Sequence, residues 1–138
     1  MRLYVVDDAA VMRAAIGMVA DALGHVVVGE AASLEDALAG LAEIAVDAVL
    51  VDGRLSADVR EAPRRAEGDD LSVTSVVRTI RHAAPGAAII LIAALDEMPL
   101  VARARAAGAV GALLRPVSRS GLAVALALIP DDSAGTRR

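Results

Sequence analysis

The chain of 138 residues contains no cysteine, lysine, asparagine, glutamine, phenylalanine or tryptophan, and its one aromatic residue is Tyr4. Each absence removes a class of chemistry. Without cysteine there is no disulfide, no thiolate nucleophile and no cysteine-type zinc or iron–sulfur site, so nothing demands an oxidising compartment. Without lysine no mechanism can use a side-chain amine, and all 14 basic residues are arginine. A net charge of -4 and the scarcity of rings argue against nucleic acid, where phosphate neutralisation and base stacking want basic patches and aromatic faces. Long apolar runs are missing as well. Ala83 to Leu95 is interrupted by Pro85 and Gly86 and falls short of the roughly 20 residues that span a bilayer, so no membrane association is expected. Met1-Arg2 leads at once into a strand-like run ending in two aspartates, which is not the order of a signal peptide. The expectation is a cytoplasmic protein.

What is present is alternation, in a chain that is 57% hydrophobic. Short apolar, β-branched runs at Leu3 to Val6, His25 to Gly29, Ala48 to Val51, Ala88 to Ile92 and Val110 to Leu114 read as doubly buried strands. Between and after them, alanine-rich patterns predict helices over Ala10 to Leu23, Ser33 to Ile44, Ser72 to Ala83, Glu97 to Ala107 and Ser118 to Ile129. Ser33, Ser72, Asp96 and Ser118 are candidate N-caps, and Gly24, Pro85-Gly86, Gly108 and Pro130 are stops. Five strand–helix repeats predict an α/β fold: a parallel sheet covered by helices on both faces. About 19 residues, Gly53 to Leu71, separate the third strand from the next clear helix, and eight of the 14 from Ala57 to Asp70 are charged. The expected domain is 1–129 with this charged insertion at about 53–71, and 130–138 reads as a disordered tail.

In a doubly wound sheet, ligands bind at the carboxyl ends of the strands. Asp7 and Asp8 end strand one and Asp52 ends strand three; in a 2-1-3-4-5 strand order the three acids converge. Carboxylates sharing a pocket repel unless a cation neutralises them, and an all-oxygen ligand set suits a hard ion such as Mg²⁺. A metal beside a carboxylate nucleophile is an arrangement for forming an aspartyl-phosphate. For the isolated pair, an alternative is that Asp8 caps the first helix and Asp7 is its solvated neighbour.

On these residues the chain resembles a stand-alone, CheY-like receiver domain of two-component response regulators. Val5-Val6-Asp7-Asp8-Ala9-Ala10-Val11-Met12-Arg13 resembles the acidic pair opening helix one, Val27-Val28-Gly29-Glu30-Ala31 strand two, and Ala48 to Asp52 the phospho-acceptor strand. Ala106-Ala107-Gly108-Ala109 and Leu113-Leu114-Arg115-Pro116 resemble the Gly-Ala turn, strand five and the Lys-Pro corner. The resemblance covers about residues 2 to 129. It implies a flavodoxin-like, five-stranded sheet of order 2-1-3-4-5, with Asp52 as phosphoryl acceptor. Asp7, Asp8, Asp52 and the backbone carbonyl of Arg54 are then Mg²⁺ ligands. A histidine kinase or phosphotransferase becomes the donor, and a downstream protein partner is expected on helices four and five.

Departures from that family pattern are equally specific. Ala93 stands where the family has Ser or Thr, Arg115 where it has Lys, and Ala112 where it has a switch aromatic; Leu55-Ser56 replace Met-Pro. The implied function is therefore an atypical single-domain response regulator, not an enzyme beyond phosphorylation and dephosphorylation of Asp52. The alternative is a pseudo-receiver, an interaction module independent of phosphorylation. A metal-dependent phosphohydrolase is disfavoured because Arg54 occupies the position where such enzymes carry a second Asp. Arg54, Arg60, Arg64 and Arg65 offer a phosphate contact or lid, against the plainer reading of a solvated loop.

Helix five is apolar nearly all round. Leu122, Ala125, Leu126 and Ile129 make one face, and Ala123, Val124, Ala127 and Leu128 fill much of the rest, which predicts a homodimer or partner interface. Tyr4 is expected in the core, Met12 and Met18 as core gap-fillers, and His25 and His82 as surface or capping residues.

Overall fold

The computed structural model describes residues 1–55 and 69–130. The elements are β1 Arg2–Val6, α1 Ala10–Ala22, β2 Val26–Ala31, α2 Leu34–Leu41, β3 Ala48–Asp52, α3 Asp69–Ala83, β4 Ala88–Ala93, α4 Met98–Ala107, β5 Gly111–Leu114 and α5 Arg119–Ala127, with a 3-10 turn, Leu95–Glu97, leading into α4. All strand pairings are parallel, in the order β2-β1-β3-β4-β5. No described helix is long and apolar enough to cross a membrane.

The period-2 geometry of a strand sends alternate residues to opposite faces, and here both faces are apolar. Tyr4, Val6, Val49, Val51, Ile89, Leu91 and Ala93 face one layer of helices, meeting Ala37 and Leu41 of α2, Val76, Val77 and Ile80 of α3, and Val101 and Ala104 of α4. Leu3, Val5, Ala48, Leu50, Ile90, Ile92 and Leu113 face the other, meeting Ile16 and Ala20 of α1 and Leu122, Ala125 and Leu126 of α5. Each fully buried Leu or Ile contributes about 1.5–3 kcal/mol. Such two-sided burial is why the strands read as unbroken apolar runs.

Two of the expected helix caps are present. Ser33 Oγ accepts from Asp36 N–H at 3.1 Å and Ser118 Oγ from Gly121 N–H at 3.0 Å, so both serines are N-caps. Gly24 ends α1 with φ +87°, and His25 N–H reaches back to the Ala20 carbonyl at 2.9 Å. The other two caps differ from expectation. Ser72 lies inside α3, which already begins at Asp69. Asp96 sits within the 3-10 turn, where the Glu97 carboxylate takes the Ala94 N–H instead. The candidate lid residues Arg60, Arg64 and Arg65 and the tail from residue 131 lie outside the described residues.

Met18 is a clear correction: it is 74% exposed. At 3.6 residues per turn, a position two from both Ile16 and Ala20 points away from the sheet those residues face. Tyr4 is buried as expected, its ring lying where a Cβ on Gly29 or Gly40 would collide with it. Met12 packs partly buried against the core, and His25 Nδ1 lies 2.9 Å from the Met1 amine. Of α5, Leu122, Ala125 and Leu126 are buried, while Val124 and the residue just past its end, Leu128, face solvent.

Candidate functional site

The sheet register builds the site. Val6 pairs with Val51, so the residues that follow them, Asp7 and Asp52, leave adjacent strand ends side by side. Asp8 is the next residue along the β1–α1 connection. One carboxylate oxygen from each of Asp7, Asp8 and Asp52 lies within 4.8 Å of the others. Asp7 and Asp52 are buried and Asp8 is exposed, so the cluster is open to solvent on one side. Asp7 is therefore not a solvated neighbour of a cap. The residue preceding α1, Ala9, has no side-chain cap, and its N–H donates to Asp7 Oδ1 at 2.9 Å.

Each strand-end loop contributes a contact. From β3, the Arg54 N–H donates to Asp52 Oδ1 at 3.0 Å. Beyond β5, Arg115 is fixed by its own N–H to the Ala93 carbonyl at 2.9 Å, and its Nη2 donates to Asp52 Oδ1 at 2.9 Å and lies 3.6 Å from Asp7 Oδ2. Arg13 of α1 donates from Nη1 to the Asp7 carbonyl at 2.6 Å and from Nε to Glu30 at 2.9 Å, tying α1 to β2 behind the pocket. Ala93 is fully buried at the end of β4 and carries no hydroxyl; Ala112 is partly buried on β5 and carries no ring.

Glu97 is the participant that sequence reasoning did not single out. Its Oε1 accepts from Ala94 N–H at 2.8 Å, its Oε2 from Arg54 Nη1 at 3.0 Å, and Arg115 Nη1 stands 3.7 Å from Oε1. The one signal available was its place in the β4–α4 connection, which this topology brings to the same end of the sheet as the three aspartates.

Charge is unevenly distributed. Burial holds Asp7 above the ordinary carboxylate value, reinforced by the charges of Asp52 and Asp8 and opposed by the Ala9 N–H and the Arg115 guanidinium. Asp7 Oδ2 is buried and accepts no hydrogen bond from any described residue. A buried carboxylate oxygen in a cluster of three acids that accepts no hydrogen bond and meets only the Arg115 guanidinium, at 3.6 Å, is what a hard cation would satisfy, and the donor set is all oxygen, so the residues present fit Mg²⁺.

No family model and no curated protein matches the chain in sequence. Solved structures do match in shape. A response regulator from Thermotoga maritima aligns at 23% identity with a TM-score of 0.73, covering 93% of this chain and 95% of that one. A response regulator receiver domain from Clostridium thermocellum aligns at 21% identity and 0.71, covering 91% and 90%. The CheY-like receiver domain protein of Methanospirillum hungatei aligns at 19% and 0.69, also covering 91% and 90%. The chain has the receiver-domain fold. The flavodoxin-like order predicted from the sequence is the observed one, and the acids that the receiver resemblance singled out lie together at the carboxyl edge of its sheet.

Proposed function

We propose that the protein is an atypical single-domain response regulator that takes a phosphoryl group onto Asp52 from a histidine kinase or phosphotransferase. The observation that carries this reading is the buried Asp7 Oδ2, which accepts no hydrogen bond from any described residue, within a three-carboxylate cluster that contains Asp52. Asp7, Asp8, Asp52 and the Arg54 backbone carbonyl would hold Mg²⁺, whose charge screens an incoming phosphate from the carboxylates. Asp52 Oδ1 is engaged by Arg54 N–H and Arg115, so we assign attack to Oδ2. A bond forms from that oxygen to phosphorus as the bond to the donor's nitrogen or acyl oxygen breaks, its electron pair leaving with the donor atom. Arg115 keeps a cation next to the new phosphoryl group, in the planar form of a guanidinium.

Output runs through protein contact. Leu95 and Met98 around the start of α4, Leu114 at the end of β5, Val124 on α5 and Leu128 just beyond it are exposed apolar side chains open to a downstream partner or a second copy of the chain. One observation favours the alternative of a phosphorylation-independent interaction module: Ala93 and Ala112 provide neither hydroxyl nor ring to transmit a change at Asp52.

Intact-protein mass after incubation with Mg²⁺ and a small acyl phosphate tests the reading. A phosphoryl adduct that needs Mg²⁺ and disappears in Asp52→Ala is expected. Absence of an adduct, together with absence of Mg²⁺ binding, would overturn the reading and favour the interaction module.

A further inference from the structure

Arg115 is placed as a competitor for the site it serves. Its Nη2 contacts Asp52 and approaches Asp7 Oδ2, the oxygens a cation would use. A divalent ion bound through those oxygens would share the pocket with the guanidinium, whose Nη2 stands 2.9 Å from Asp52 Oδ1 and 3.6 Å from Asp7 Oδ2, and like charges so close repel in a partly desolvated site. The guanidinium therefore needs somewhere else to put its charge. Its other nitrogen, Nη1, already points to Glu97 at 3.7 Å, an ion-pair distance that a small rotation would close to a hydrogen bond.

Glu97 is prepared for that load. Its side chain is only 11% exposed and is held from two directions, by the Ala94 N–H on Oε1 and by Arg54 Nη1 on Oε2. A lysine ammonium is a single point charge; the guanidinium fork offers two nitrogens to two carboxylates at once, so this pairing depends on arginine at position 115.

We propose that Glu97 is a positioning residue that gives Arg115 a second carboxylate, so that Arg115 neutralises Asp7 and Asp52 when the pocket lacks a cation and shifts onto Glu97 when one binds. The inference rests on reading the three-acid cluster as a cation site. Because the fork is shared, the charge state of the pocket reaches the Leu95–Glu97 turn through Glu97, next to the exposed side chains of Leu95 and Met98.

The test uses Mg²⁺ alone as the probe, titrated into the full chain by calorimetry, with the Arg115 Nε–H resonance followed by NMR as a second readout. Arg115→Ala removes the competing charge and should tighten Mg²⁺ binding by about three- to fivefold, the range for a partly exposed ion pair. Glu97→Gln keeps an oxygen for the Ala94 N–H but removes the alternative partner, and should weaken binding by a similar factor. In the Arg115→Ala background, and equally in Arg115→Lys, Glu97→Gln should have no further effect. If it weakens binding equally there, Glu97 acts only as general negative charge and the proposal fails. If Mg²⁺ binds but neither single substitution changes its affinity, the proposal fails and the cation site stands. If Mg²⁺ binds to no variant, Arg115→Ala included, the cation site and the proposal fall together.

Discussion

Replacing Asp7 by asparagine should stabilise the metal-free protein while disabling the proposed cation site. Asp7 is 1% exposed, and its Oδ2 has no hydrogen-bond donor among the described residues. Leaving a buried polar atom unsatisfied costs about 1–3 kcal/mol. In the Asp7→Asn variant the side-chain carbonyl oxygen retains the Ala9 N–H, and the amide becomes a donor beside Asp52 and Asp8 in place of a third negative charge. The variant also gives up the 3.6 Å ion pair with the partly exposed Arg115, an effect of about 0.2–1 kcal/mol, so a net gain of about 1–2 kcal/mol follows, or roughly 3–7 °C in Tm for a chain of this size.

The gain carries a pH signature. Because the Asp7 pKa is raised on folding, the folded state keeps that proton after the unfolded chain has released it. The wild-type protein therefore has its full Asp7 contribution below about 3.8, the ordinary aspartate value, and loses it as pH rises through the raised one. The advantage of the Asp7→Asn variant should accordingly be small in acid and complete at neutral pH. Saturating Mg²⁺ should reverse the order: at a concentration about 100 times Kd the ion stabilises the wild-type protein by about 2.7 kcal/mol, more than the substitution confers. Differential scanning calorimetry in EDTA and in Mg²⁺, across pH, measures all of this. A variant less stable than wild type in EDTA at neutral pH, or one stabilised equally by Mg²⁺, would refute the reasoning.

Gly40→Ala places a methyl group against the Tyr4 hydroxyl and should cost about 1–3 kcal/mol in urea denaturation, most of it recovered in a Tyr4→Leu background; an unrecovered loss would mean the collision is not with Tyr4. Val124, 65% exposed on α5, should mediate self-association: light scattering at high micromolar concentration should give a dimer mass, and Val124→Asp a monomer. A monomeric wild-type mass would remove helix five as a homodimer interface.

Much of this was legible along the chain. Two-sided burial makes Ala48 to Val51 and Ala88 to Ile92 continuous apolar runs, and that local pattern, repeated between helical ones, was enough to specify a parallel α/β sheet. Asp7, Asp8 and Asp52 were readable because they sit where such runs stop. Ser33 and Ser118 were legible as caps because a cap is a contact over three residues. Met18 was not, because hydrophobicity does not say which side of a helix meets the sheet; only the burial of Ile16 and Ala20 decides that.

What the sequence determined by itself is whatever depends on neighbours in the chain: the element types, the strand ends and the chemistry available there. What tertiary structure alone decided is which groups from distant loops share a carboxylate. Glu97 is 45 residues from Asp52 and 18 from Arg115 in the chain, and no local pattern links them. Placing β3, β4 and β5 side by side brings their loops to one edge, and the reach of two arginine side chains then makes Glu97 part of the site.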